Sequence, residues 1–226
     1  MHRLTRWFLA PFVGLLVAGA AHAEGFRLLE LGGMRVKWGA PALGTGSGEV
    51  TYGFAGAVAS YPDALNCRVL APADRLAAAA GGQQQLSEIV AAAFGLWSGV
   101  ADIRFRPARP GEVPDVTIGA QGQPDRVAFA NVWPDRSRAK SGVAPLVRAT
   151  ICLNPAIDWT GGAAGPARYD LATVLAHEIG HTLGLDHPGP IGALMGFSDQ
   201  GAAAWLMPGD IAGARLIYGV PGLRRR

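Results

Sequence analysis

Hydrophobic positions along the chain change period several times, and the changes outline a mixed α and β domain. Residues 49–54 (Glu-Val-Thr-Tyr-Gly-Phe) alternate and are rich in β-formers, which predicts a strand. Over 83–98 the period becomes helical. Leu86, Ile89, Val90, Ala93, Phe94 and Trp97 fall at i, i+3, i+4, i+7, i+8 and i+11 and form one apolar stripe. Such a stripe is expected to lie across a sheet. Short alternating runs then return at 103–105, 115–119, 127–133 and 149–153, separated by Pro- and Gly-rich breaks, and predict four further strands. Residues 36–38 predict a brief strand or extended arm. Residues 56–80 predict an irregular excursion with a strand or short helix near Val69 or Leu76. Residues 135–142 and 159–167 predict loops. Two helices close the chain. One runs over 171–183 with Asp170 as its N-cap, and the other starts at Pro208 and ends at Gly219.

Composition supports one compact domain. Half of the 226 residues are hydrophobic and 16% are charged, so a sizeable core is expected. The 32 glycines and 16 prolines argue against a helix bundle. The first 23 residues have the form of a secretory signal. Arg3 and Arg6 make a basic start, an apolar run follows to Ala20, and Ala21-His22-Ala23 has the shape of a cleavage site. An uncleaved membrane anchor is the alternative, but the apolar run is short for a span. The expected organisation is a signal peptide over 1–23, an N-terminal segment over 24–37, one main domain over 38–220 and a basic tail over 221–226. The expected location is secreted or periplasmic, with no stable membrane anchor once the leader is removed. Without Arg3 and Arg6 the net charge falls from +3 to +1, which argues against a nucleic-acid partner. Arg224, Arg225 and Arg226 are expected to be a solvated tail. Cys67 and Cys152 are the two cysteines, and in an oxidising compartment they are most simply one disulfide. The rival, a thiolate latch on a metal, lacks a recognisable latch motif.

The chemistry concentrates in the second-last helix. His177-Glu178-Ile179-Gly180-His181-Thr182-Leu183-Gly184-Leu185-Asp186-His187 places two histidines four apart, on one helical face. On a helical wheel Leu171, Ala172, Leu175, Ala176, Ile179 and Leu183 share one arc. His177, His181 and Gly184 lie on the opposite one, with Glu178 on its flank. Gly184 lets the chain leave the helix so that His187 can return as a third ligand. The chain has five histidines; the two outside this motif, His2 and His22, belong to the leader. Three imidazoles without a fourth protein ligand point to a catalytic zinc site, in which the open position brings the pKa of bound water to about 7. Glu178 is placed to take that water's proton and pass it to a leaving amine.

The motif resembles the signature of the metzincin zinc endopeptidases. Ala193-Leu194-Met195-Gly196 resembles their methionine turn. The motif wording, the short gap to Met195 and the ending Asp210-Ile211-Ala212-Gly213-Ala214-Arg215-Leu216-Ile217-Tyr218-Gly219 are similar to the matrixin branch. The resemblance covers roughly residues 36–220. It implies an α+β, metzincin-type zincin fold: a twisted five-stranded mixed sheet with one antiparallel edge strand, three helices, and zinc in the cleft. Met195 would floor the ligands without binding metal.

The implied activity is that of a bacterial-type, exported zinc endopeptidase without a cysteine-switch pro-domain. A polypeptide substrate would add as a strand beside 127–132, touching Phe129, Ala130 and Asn131. Many relatives bind a second, structural zinc through extra histidines. Asn131 stands about where one of those would sit, so one Zn²⁺ is expected. Calcium is a further cation of the family, although these loops show no evident oxygen cage for it. The segment after Met195 departs from the family's pocket-lining pattern, and Phe197 stands where some relatives have a ligating Tyr. Two other functions fit the same residues: a non-catalytic zinc-binding module of this fold, and a zinc hydrolase of cell-wall peptide.

Overall fold

The computed structural model describes residues 25–160, 169–189, 193–196 and 205–222. The leader, the tail Arg224 to Arg226, most of the loop over 159–167, and Phe197 lie outside the described residues.

Seven strands and four helices position the site. The strands are β1 (Met34–Lys37), β2 (Glu49–Phe54), β3 (Val69–Ala71), β4 (Arg104–Pro107), β5 (Val116–Gln121), β6 (Ala128–Pro134) and β7 (Val143–Leu153). The helices are α1 (Asp74–Ala79), α2 (Gln83–Ser98), α3 (Leu171–Thr182) and α4 (Pro208–Tyr218). The central sheet has the order β4-β2-β5-β7-β6. The first four strands run parallel and β6 is antiparallel to β7. This is the expected five-stranded mixed sheet. Strand β1 extends it beside Val143, Ala144 and Pro145, and β3 caps the end of β5. Three helices are long, as expected, and the six-residue α1 joins them. Both readings of 56–80 hold, with β3 at Val69 and α1 around Leu76.

Strand β7 starts six residues earlier than its alternation predicts. Pro145 and the partly exposed Arg148 interrupt the pattern, yet Val143, Ala144 and Leu146 are buried. The proline is tolerated because β7 uses its carbonyl there, which accepts the Asp135 N–H at 2.8 Å. Within the expected loop 135–142, Arg136–Arg138 form one 3₁₀ turn capped by Asp135.

The core lies between the sheet and helices α2 and α3. The α2 stripe buries Leu86, Val90, Phe94 and Trp97, each contributing roughly 1.5–3 kcal/mol. Phe94 stacks on Tyr52 of β2 at 4.2 Å, and Trp97 Nε1 donates to Ala176 O of α3 at 2.9 Å. Alternation along β7 turns Ile151 and Leu153 into this core and Cys152 to the opposite face. There Cys152 forms a disulfide with Cys67, packed with Leu70 and Phe129.

Residues 25–37 join the same body. Arg27–Leu28 pair antiparallel with Leu185–Asp186, and Glu30–Leu31 turn at Gly32 and Gly33 onto Met34 and Arg35. Lys37 is wholly buried, its ammonium donating to Trp38 O (2.8 Å), Ala40 O (2.9 Å) and Thr45 Oγ1 (3.2 Å).

Candidate metal centre

Helix α3 begins where expected. Asp170 accepts the Thr173 N–H at 2.7 Å and the Thr173 hydroxyl at 2.6 Å, satisfying the first turn. Leu171, Leu175, Ala176 and Ile179 anchor one face in the core. Gly180 faces Met195 and Trp97, and a Cβ there would collide with Met195 Sδ. Met195, 1% exposed, is therefore packed directly beneath the motif helix. Gly184 has φ +95° and lies against the Val36 carbonyl, so neither its backbone angle nor its space admits a side chain. From this glycine the chain reverses through Leu185 and Asp186 to His187.

The three expected ligands meet. Nε2 of His187 lies 3.0 Å from Nε2 of His177 and 3.2 Å from Nε2 of His181. A tetrahedral ion with Zn–N bonds near 2.0–2.1 Å holds its ligand nitrogens roughly 3.3 Å apart, so this spacing fits one small cation. The outer ring nitrogens orient the rings. His177 Nδ1 donates to Leu194 O at 2.7 Å and His181 Nδ1 to Leu185 O at 2.9 Å. A carbonyl can only accept, which leaves the lone pairs on Nε2, facing inward. Beside His187, Asp186 accepts that residue's own N–H at 2.8 Å and pairs with Arg27 at 3.2 Å.

The electrostatics favour a cation at the same point. Burial, and next the neighbouring His177, push His181 down to about 3, which keeps its imidazole neutral. The same two causes lower His187. Burial pushes the Glu178 carboxyl up to about 8, and its Oε2 is buried without a hydrogen-bond partner. Three converging Nε2 atoms, two of them with their lone pairs turned inward, and a buried carboxyl oxygen without a partner form a donor set that fits a divalent ion, and such a charge draws the carboxyl pKa back down. Among the described residues, His177, His181 and His187 are the one group of three or more His, Cys, Asp or Glu side chains that converge in this way.

The cage opens into a cleft of about 1750 Å³. Strand β6, helix α3, the loop over 63–69 and the N-terminal Leu29 and Leu31 form its walls. Phe129, Ala130 and Asn131 lie on the β6 wall. The Asn131 side chain is tied to the 63–69 loop, accepting the Asn66 N–H at 3.0 Å and donating to Cys67 O at 3.2 Å.

The sequence model of the matrixin family matches residues 75–219, well over half of the chain. The chain belongs to the matrixin family. Matrix metalloproteinase-19 of Mus musculus is 30% identical to it over 131 residues, 56% of this chain and 24% of the mouse protein. The chain thus spans about a quarter of the length of that relative. Matrixins are zinc-dependent peptidases as a family, and zinc is the cation that the three-histidine cage suits. The matrixin match takes in the motif, Met195 and α4, and begins after β2 and the loop that carries Cys67.

Periodicity and motif spacing miss two residues that support the walls of this cleft. Asp210 looks like an ordinary acidic residue in the first turn of a helix, but its carboxylate accepts the main-chain N–H groups of Leu194 and Met195. Asn66 carries no signal in its neighbourhood, and it reaches the edge of β6 at Ala130 O. Among the described residues no helix is long and apolar enough to cross a membrane.

Proposed function

We propose that this matrixin is an exported zinc endopeptidase that hydrolyses peptide bonds with Glu178 as general base. The observation that carries the reading is the convergence of the three Nε2 atoms of His177, His181 and His187 in the cleft that Glu178 also lines, with Glu178 Oε2 buried and without a hydrogen-bond partner. Bound zinc supplies Lewis acidity on the open side of the three nitrogens.

The chain's own residues do the rest. His177 and His181 keep their lone pairs aimed through their carbonyl partners. Glu178 accepts a proton from the attacking water, whose oxygen bonds to the scissile carbonyl carbon. It then returns the proton to the nitrogen as the C–N bond breaks. The carboxylate's burial keeps bulk water from competing for that proton. A polypeptide lies extended against β6, whose outer edge pairs with no strand among the described residues. Export is supported by the leader-like first 23 residues and by the Cys67–Cys152 disulfide.

Purified protein is expected to cleave casein and to stop when a chelator removes zinc. Glu178→Ala should retain one zinc per chain and lose about 10²–10⁴-fold in rate. Cleavage by that variant at the parent rate would remove Glu178 from the role of base. Zinc-loaded parent that leaves every peptide intact would favour a non-catalytic module, and activity confined to peptidoglycan would favour a cell-wall substrate.

A further inference from the structure

We propose that Asn66 sets substrate affinity by occupying the main-chain acceptor of Ala130, the group that an incoming strand needs. This rests on the peptidase reading above. In an antiparallel pair, alternate residues direct both main-chain groups at the partner strand or away from it. Asn154 N donates to Val127 O at 3.0 Å, so Val127 faces inward, and Phe129 and Asn131 follow it. Ala128, Ala130 and Val132 turn outward, toward the cleft.

The middle one of the three is already engaged, since Asn66 Nδ2 donates to Ala130 O at 3.3 Å. The backbone that carries Asn66 is fixed beside this edge. Its own N–H goes to Asn131 Oδ1, the next carbonyl, Cys67 O, takes Asn131 Nδ2, and Cys67 is bonded to Cys152, the residue opposite Phe129. The Asn66 side chain is exposed, and Leu65 beside it is 76% exposed on the cleft rim. The loop is thus rigid while the amide is free to rotate away. A substrate N–H and the Asn66 amide compete for one oxygen, and the contact is long enough to be displaced. This loop precedes residues 75–219, the span that the family model matches.

The test uses the full zinc-loaded chain and a peptide long enough to lie along β6. Asn66→Ala removes the amide but keeps the backbone N–H to Asn131 and both cysteines. KM is expected to fall roughly three- to tenfold, the worth of one exposed hydrogen bond, with kcat and melting temperature unchanged. Asn66→Asp keeps the size without the donor and is expected to lower KM for a neutral peptide in the same direction. In a Glu178→Gln background the peptide Kd should fall by the same factor. An unchanged or raised KM and Kd in both Asn66 variants overturns the proposal. If the parent cleaves peptides in a chelator-sensitive way while those variants match it, the Asn66 role alone fails. If the zinc-loaded parent cleaves no peptide, the peptidase reading fails.

Discussion

Asp210 is joined to His177 through Leu194. The Asp210 carboxylate accepts the N–H groups of Leu194 at 2.8 Å and Met195 at 3.1 Å, and the Leu194 carbonyl accepts from His177 Nδ1 at 2.7 Å. The same carboxylate takes the Met207 N–H at 2.8 Å, so the start of α4 holds the turn that aims a ligand ring. Asp210→Ala is expected to weaken zinc binding ten- to a hundredfold, the usual effect of losing such an outer support. Competition against a chromophoric chelator measures this, and unchanged zinc affinity would show that the turn holds His177 without Asp210.

Tyr218 ties the last helix to the end of the motif helix. Its hydroxyl accepts the Trp38 N–H at 3.1 Å and donates to Leu183 O at 2.9 Å, in full burial. Tyr218→Phe leaves both main-chain groups unpaired and should cost about 1–3 kcal/mol in denaturant unfolding. An unfolding free energy equal to that of the parent would mean that another partner takes their place.

The disulfide joins residues 85 apart in the chain. Replacing Cys67 and Cys152 together by serine should cost about 2–5 kcal/mol, largely by releasing the unfolded chain. Urea titration of the oxidised parent against the double variant reads the difference, and a loss well below 1 kcal/mol would contradict it.

Acid sensitivity should be visible at Glu112. Hydrogen bonds from Arg106, and next the Arg109 backbone, hold its carboxyl down at about 2, below the ordinary 4.5. A folded value below the unfolded one means that the stabilisation is complete above about pH 4.5 and lost as pH falls through about 2. Glu112→Gln should therefore melt earlier than the parent at neutral pH, and the two melting curves should converge near pH 2. Curves that stay parallel over this range would dissociate Glu112 from acid stability.

Much of this arrangement is legible in order of residues alone, and for identifiable reasons. Helix α2 shows its boundaries because one face is continuously apolar from Leu86 to Trp97. Helix α3 shows its start because Asp170 is a local cap. The His177–His181 pair shows because a four-residue spacing on a helix is a strict geometric code.

What stays hidden depends on distant chain. Lys37 looks like a surface residue, and it is buried because the loop at Trp38 to Thr45 folds back over its ammonium. The early start of β7 is hidden by Pro145, whose partner across the turn is Asp135. Asn131 stands on the expected substrate strand, but its side chain serves the Cys67 loop, a link across more than sixty residues that no local pattern records.

The place of β2 has a consequence for how the molecule could be divided. The span matched by the family model starts at residue 75, yet β2 sits between β4 and β5 in the sheet. A fragment trimmed to 75–219 would separate those two strands by an empty lane and leave Cys152 without its mate. It would also remove Val36, against which the motif helix makes its exit at Gly184. The border of the family match and the border of a closed sheet therefore fall at different residues, and a piece able to close its own sheet has to begin before Glu49.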